Sequence, residues 1–244
     1  MKLLFLSIVL LSARLGLCQR DQQPLIITPL ADNFFIYETF STYKGSRISA
    51  NSMYVVTRDG VILIDTPWDT TQFQPLLDSI YKRHNQPVVM AISTHFHNDR
   101  TAGLEYYRNK GIKTYTTKRT DELSKKHGMK RAEYLIENDT IFNIGQYRFQ
   151  VLYPGQGHTP DNIVIWFERE KILYGGCLIK SYEDTNLGNL ADANITEYAA
   201  TIEKVDNRCK NPHHVIPGHG SWLKKTSVSN TLRMAKALKK GNHP

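Results

Sequence analysis

The stretch Val88-Val89-Met90-Ala91-Ile92-Ser93-Thr94-His95-Phe96-His97-Asn98-Asp99-Arg100 decides how the rest of the chain is read. It opens with an apolar run closed by Ser93, the mark of a buried strand. The seven residues that follow place two histidines, an aspartate and an arginine at the strand's end. In extended backbone alternate side chains point the same way, so His95 and His97 can reach one ion, and Asp99 a second once the chain turns. A strand delivering ligands into a loop is expected to form a site, and this spacing suits two metals.

Three further candidates stand in the same setting. His158 follows residues 151–157, Cys177 follows Ile172-Leu173-Tyr174-Gly175-Gly176, and His219 follows Val215-Ile216-Pro217-Gly218. Each closes an apolar strand, and the glycines beside them let backbone turn sharply or approach an ion closely. A single histidine is more often a surface or hydrogen-bonded core residue than a ligand. Five strand-end donors together with Asp99 are harder to dismiss. His84, His127, His213, His214 and His243 lack this setting and are read as ordinary, as is the thiol of Cys209. Asp65 ends another apolar strand, where a carboxylate needs a partner.

Outward from the central strand, both flanks alternate β and α. Upstream, residues 25–27 and 34–37 read as strands and residues 40–47 as a polar hairpin tip. Residues 53–56 and 61–65 read as two strands joined by the turn Arg58-Asp59-Gly60. A helical period carries Phe73, Leu76, Leu77, Ile80 and Tyr81 between Asp69 and Asn85, with Pro75 near its start and Asp69 or the next threonines as caps. Downstream, a helix over 104–110 stops at Gly111, a strand covers 112–116, and a charged helix over 118–127 is closed by Gly128. The second half offers strands at 147–153, 163–167 and 172–174, then helices near 194–208 and 227–239. This order predicts an α/β fold, an αβ/βα sandwich of two mixed β-sheets with helices on the outer faces. Without a Pro- or Gly-rich linker, residues 19–244 read as one domain whose halves meet near Lys130–Thr140.

Composition agrees with a globular enzyme-sized chain: 244 residues, 41% hydrophobic and 22% charged, enough for a large core without disulfides. Residues 1–18 read as a secretory signal, with Lys2 as its positive end and an apolar run over 3–11 too short to span a bilayer. Gly16 and Cys18 suit the positions before a cut, giving a mature chain from Gln19; lipid modification of Cys18 is the rival, opposed by Leu17. Loss of Lys2 and Arg14 would take two charges from the formal +8. The remaining basic residues fall in short pairs such as Lys118-Arg119 and Lys224-Lys225. That pattern argues for solubility and attraction to small anions, and against nucleic acid as a partner. No heptad or broad apolar stripe is visible, so a monomer is expected. The only cysteines left after export, Cys177 and Cys209, are expected not to form a disulfide.

The residues His95-Phe96-His97-Asn98-Asp99-Arg100, Gly157-His158-Thr159, Gly175-Gly176-Cys177-Leu178-Ile179-Lys180, Gly188-Asn189-Leu190 and Pro217-Gly218-His219 together closely resemble the class B metallo-β-lactamases, in the subclass with two zinc sites and a cysteine ligand. The His-x-His-x-Asp motif alone marks only the broad hydrolase superfamily; Arg100, Cys177 and Lys180 narrow it. The resemblance implies two Zn²⁺ per chain, the first held by His95, His97 and His158 and the second by Asp99, Cys177 and His219. It implies hydrolysis of the β-lactam amide of penicillins, cephalosporins and carbapenems by zinc-bound hydroxide, and hence antibiotic resistance, in a protein exported to the bacterial periplasm. Asp99 and Asn189 are the implied catalytic residues, and Lys180 with Asn189 the implied substrate-binding ones. Arg100 is expected to pair with Asp65 beneath the metals, and the hairpin at 42–47 to form a flap offering Tyr43. Trp68 reads equally as a cleft wall or as core. Two rivals remain. One is a thioester or phosphoester hydrolase of the same superfamily, which commonly carries a histidine where Arg100 stands and a bridging aspartate where Cys177 stands. The other is a non-catalytic secreted zinc-binding protein, which would not need Lys180 and an Asn-bearing loop.

Overall fold

The computed structural model describes residues 25–137, 139–239 and 241. The signal reading of residues 1–18, with its cleavage site, and the reading of His243 lie outside the described residues.

The first sheet is built from β1 (Ile26–Ala31), β2 (Phe34–Tyr43), β3 (Ser46–Thr57), β4 (Gly60–Ile64), β5 (Val88–Ile92), β6 (Lys113–Thr117) and β7 (Tyr134–Ile136), in sequential order. Hairpin turns make β1 to β4 an antiparallel meander, and the switch to parallel pairing at β4/β5 coincides with the first helical crossover. That crossover is α1 (Phe73–His84); α2 (Asn98–Thr101) and α3 (Leu104–Asn109) lead to β6, and α4 (Lys118–His127) leads from β6 towards β7. The second sheet holds β8 (Thr140–Ile144), β9 (Tyr147–Leu152), β10 (Val164–Phe167), β11 (Ile172–Gly176) and β12 (His214–Pro217). Its first four strands are antiparallel; β12 returns parallel to β11 after α5 (Ile195–Arg208), and α6 (Ser227–Lys239) follows.

Strand parity builds the layers. On β4, Ile62 and Ile64 face the second sheet and join Phe34, Met53, Phe149, Ile165, Phe167 and Ile216 in the central core. The alternate residues Val61 and Leu63 face outward and are covered by Phe73, Leu76 and Ile80 of α1 and Tyr107 of α3. Across the molecule, Val164, Trp166 and Leu173 are covered in the same way by Tyr198, Ile202 and Val205 of α5 and Met234 of α6. The result is the expected αβ/βα sandwich. Phe34 of the first sheet meets Phe167 of the second edge to face, at 4.9 Å between ring centroids.

Local signals explain most element ends. Asp69 accepts from Thr71 N–H and so caps a short 3₁₀ turn ahead of α1, while Asn85 ends the helix in the left-handed region at φ 52°. Thr117 caps α4 and Gly128 closes it at φ 68°. Three elements were not expected. β7 and β8 are short edge strands, β7 only three residues long and β8 interrupted by Asn143, so neither carries the longer apolar run that marks a buried strand. The four-residue α2 is too short to carry a period.

A polar bolt joins the sheets. The fully buried Arg100 donates to Asn51 O on β3 (2.7 Å), to Asp65 Oδ2 at the end of β4 (3.4 Å), to Tyr174 Oη on β11 (3.2 Å) and to Gly218 O beyond β12 (2.9 Å). Its Nε and Nη2 also reach Asp99 Oδ2, at 3.0 and 2.9 Å. Asp65 accepts from the Thr94 N–H and hydroxyl in turn. The expected Arg100–Asp65 pair is therefore one contact of a larger network. Removing one partner of a buried ion pair strands the other's charge, so Arg100→Ala is expected to lower the unfolding free energy by about 3–5 kcal/mol. Arg100→Lys should recover only part of this, because one ammonium cannot reproduce a planar fork spread over five acceptors. Urea unfolding of both variants beside the wild type measures the difference, and a loss under ~1 kcal/mol for Arg100→Ala would refute the bolt.

Candidate metal centre and active site

Six sequence-predicted donors converge at the ends of strands from both sheets. β5 runs out into His95, His97 and Asp99, the last held in α2; the loop after β9 brings His158; β11 ends in Cys177; and β12 leads to His219. Two glycines are required by geometry. Gly176 turns the chain at φ 53°, and a Cβ on Gly218 would stand 2.6 Å from Cys177 N and 2.7 Å from its Sγ.

The rings of His95, His97 and His158 meet nearly perpendicular to one another, with centroids 4.8 to 5.1 Å apart. Asp99, Cys177 and His219 form a second set whose donor atoms lie within 4.8 Å of one another. The two sets adjoin, since His95, His97 and Asp99, and likewise His95, His158 and Cys177, also satisfy that limit.

The donor chemistry fits metal. Asp192 Oδ2 can only accept, so His97 Nε2 carries the proton in their 2.9 Å contact and Nδ1 is left bare. That bare nitrogen faces His95 Nε2 at 3.2 Å. His219 Nδ1 donates to the Ser49 carbonyl at 2.6 Å, which leaves its Nε2 towards Cys177 Sγ at 3.3 Å and Asp99 Oδ2 at 3.2 Å. A tetrahedral zinc with Zn–N of about 2.0–2.1 Å and Zn–S of about 2.3 Å spaces its ligand atoms roughly 3.3–3.6 Å apart, close to these separations. Nδ1 of His158 is buried with no hydrogen-bond partner, a further donor atom the protein itself leaves unused.

Electrostatics divides the sets. Burial, reinforced by the neighbouring charges, holds His95 and His158 well below the ordinary histidine value, and so neutral. Burial would raise Asp99, but the adjacent Arg100 and then His219 outweigh it and keep the carboxyl well below its usual range. Desolvation would lower His219; the charge of Cys177 and hydrogen bonds to Asp99 and Cys177 instead raise it to about 9.

Above the donors opens a cleft of about 720 Å³. Ser41, Thr42, Tyr43 and Ile48 of the β2–β3 hairpin line one side with Trp68, and Lys180, Asn186 and Asn189 line another. Trp68 packs edge-on to His219 at 6.2 Å and tilted to Tyr43 at 6.4 Å, so it is a cleft wall. Burial lowers the Lys180 ammonium, and Cys177 followed by Asp184 and Asp99 offsets part of that. Asn189 is exposed, with its side-chain oxygen accepting from Ala191 N–H.

Among the described residues the remaining histidines join neither donor set: His84 pairs with Tyr54 Oη at 3.0 Å, and His127 packs on the Phe96 ring. Cys177 and Cys209 are both free thiols, and burial pushes Cys209 up to about 12. Sequence reasoning missed Asp192, Ser49 and Tyr174. Each acts through a contact 74 or more positions away along the chain, which no local pattern announces.

The arrangement has counterparts among known proteins. The chain is 42% identical to a metallo-beta-lactamase type 2 of Elizabethkingia meningoseptica over 206 residues, 84% of this chain and 83% of that protein. It is 43% identical to metallo-beta-lactamase IND-1 of Chryseobacterium indologenes over 210 residues, 86% of this chain and 88% of that one. The crystal structure of metallo-beta-lactamase IND-7 superposes with a TM-score of 0.83 at 42% identity, covering 87% of this chain and 98% of that one. The profile of the Metallo-beta-lactamase superfamily matches residues 45–220, from the hairpin tip to just beyond the last donor histidine. Sharing that profile across both sheets, and its fold with a solved relative over nearly nine tenths of its length, this chain belongs to the metallo-beta-lactamase superfamily.

Proposed function

We propose that the protein is a zinc-dependent β-lactamase that opens the lactam amide of penicillins, cephalosporins and carbapenems, with two zinc ions per chain. The observation that carries this reading is the pair of adjoining donor sets, three histidines in one and an aspartate, a cysteine and a histidine in the other, on the floor of a cleft walled by Lys180 and Asn189. His95, His97 and His158 would hold one ion, and Asp99, Cys177 and His219 the other. Zinc bound there supplies a Lewis acid and a water of pKa about 7.

The chain's own residues do the rest. Asp192 and the Ser49 carbonyl fix the tautomers of His97 and His219, so the correct nitrogen faces inward. Arg100 keeps Asp99 ionised, leaving it an acceptor at the cleft floor that can orient the attacking water. Lys180 binds the substrate carboxylate, which orients the four-membered ring over the donors. The Asn189 amide N–H donates to the lactam carbonyl as negative charge develops on its oxygen. Trp68, Tyr43 and Ile48 shield the apolar side chains of the substrate from water.

The thioester or phosphoester alternative asks for further ligands where Arg100 and Cys177 stand. Arg100 is wholly committed to buried acceptors, and a guanidinium is no zinc ligand. Among the described residues no helix is long and apolar enough to cross a membrane, and the reading of residues 1–18 supports export to the periplasm, where the enzyme would act as a monomer and confer resistance.

Purified protein should hydrolyse a chromogenic cephalosporin and leave a thioester control untouched. Chelation should abolish the reaction and added zinc restore it, with native mass spectrometry reading two metals per chain; full turnover after verified metal removal would falsify the assignment. Lys180→Ala should raise KM about tenfold or more and lower kcat less, since the ammonium binds ground and transition states alike. Equal KM for the variant and wild type at low salt removes Lys180 from that role. Cys177→Ser should lose the second zinc and most activity while Cys209→Ser keeps both, a contrast read by metal content as well as by rate.

A further inference from the structure

Between the end of β11 and the start of α5, residues 177–194 form neither helix nor strand, yet they carry the donor Cys177 and the cleft lysine, Lys180. Buried backbone groups there have no ladder to join and must be met by side chains. Tyr198 of α5 donates its hydroxyl to Leu178 O at 2.8 Å, and Nδ2 of Asn230 on α6 donates to Ser181 O at 2.8 Å. Between those two points Lys180 N–H donates to the Thr231 hydroxyl at 2.8 Å. Thr231 is fully buried, on the stripe of α6 that also holds Val228, Met234 and Ala235. A hydroxyl on such a stripe is unfavourable unless it is bonded. Its single proton goes to Ser227 O, one turn back at 2.7 Å, in preference to Lys180 O at 3.3 Å. The lone pairs of the oxygen are thereby left to accept Lys180 N–H.

A residue of the outer helix layer, with no surface in the cleft, thus grips the peptide from which the Lys180 side chain departs. A lysine side chain is flexible, so the place its ammonium can reach is governed by where its own backbone stands. We infer that Thr231 is a positioning residue for β-lactam binding, an inference resting on the β-lactamase reading above. It sets the Lys180 ammonium at a fixed reach from the metal donors, and with it the point at which the substrate carboxylate is held. The four-membered ring lies over the donors only when that point is right.

A double-mutant cycle on the zinc-loaded enzyme, with a chromogenic cephalosporin as substrate, tests this. Thr231→Val keeps the shape of the side chain and removes the acceptor, leaving the buried Lys180 N–H unpaired. It should raise KM about fivefold, the scale of one net hydrogen bond, and lower kcat by less. Thr231→Ser keeps the hydroxyl and should return KM to within about twofold of the wild type. In a Lys180→Ala background Thr231→Val should change kcat/KM no further, because the residue acts through the ammonium. Native mass spectrometry should read the same zinc content in Thr231→Val as in the wild type. Should circular dichroism show Thr231→Val unfolded, Thr231→Ala takes its place in the cycle. An unchanged KM in the folded variant, an equal fall of kcat/KM with and without Lys180, or loss of zinc overturns this inference and leaves the β-lactamase reading standing. No hydrolysis by the wild-type protein overturns both.

Discussion

A single buried guanidinium sets the relation between the two sheets. Arg100 sits where β3, β4, β11 and the segment beyond β12 come nearest, and its acceptors are drawn from all of them. Apolar packing alone would allow the sheets to slide, because hydrophobic contact is non-directional. A planar fork with fixed donor directions does not. The same residue neighbours Asp99 in sequence and touches it in space, so the register of the sandwich and the position of one metal donor are fixed by one side chain. This is why Asp65 lies beneath the site. It has no path to the cleft, yet it balances Arg100 so that the guanidinium need not draw all its compensation from Asp99.

The two halves contribute donors on equal terms. Three come from the loop after β5 in the first sheet and three from loops of the second, and each follows a buried strand end. A cleft assembled in this way exists only when both sheets are docked. That geometry also explains the glycines: Gly218 passes so close to Cys177 that any side chain there would push the donor out of place. Loops set on rigid strand ends can vary in length and polarity without moving the donors, which leaves the β2–β3 hairpin and the turn after Lys180 free to shape the walls.

Much of this was legible in the sequence, for definable reasons. Apolar runs ending in His or Cys gave the strands and their donors together, and left-handed stops at Asn85, Gly111 and Gly128 marked helix ends by local backbone chemistry alone. The Arg100–Asp65 pair was foreseeable because both are charges attached to apolar strands. The edge strands β7 and β8 were not, because one is three residues long and the other is broken by Asn143, and both depend on a neighbour for their hydrogen bonds. Asp192 and Ser49 were invisible for a related reason. One works through a side chain 95 positions away and the other through a backbone carbonyl 170 positions away, a group every residue possesses.

The division of charge across the cleft floor follows from these supports. His95 and His158 are neutral because burial strips the solvent that would stabilise their protonated forms, so these two offer lone pairs without net charge. Asp99 is held ionised by Arg100 and His219, so the other set carries an anionic carboxylate. Two dications a few ångströms apart repel strongly, and a site of six neutral ligands would hold them poorly. Holding the Asp99 carboxylate against a guanidinium that also pairs with Asp65 lets that position keep its negative charge without drawing a proton. The histidine set brings no carboxylate or thiol, so a metal ion bound there would have its charge little offset by its ligands. A substrate carbonyl laid across that floor therefore meets an electrostatic gradient fixed by Arg100 and Asp65, two residues it never touches.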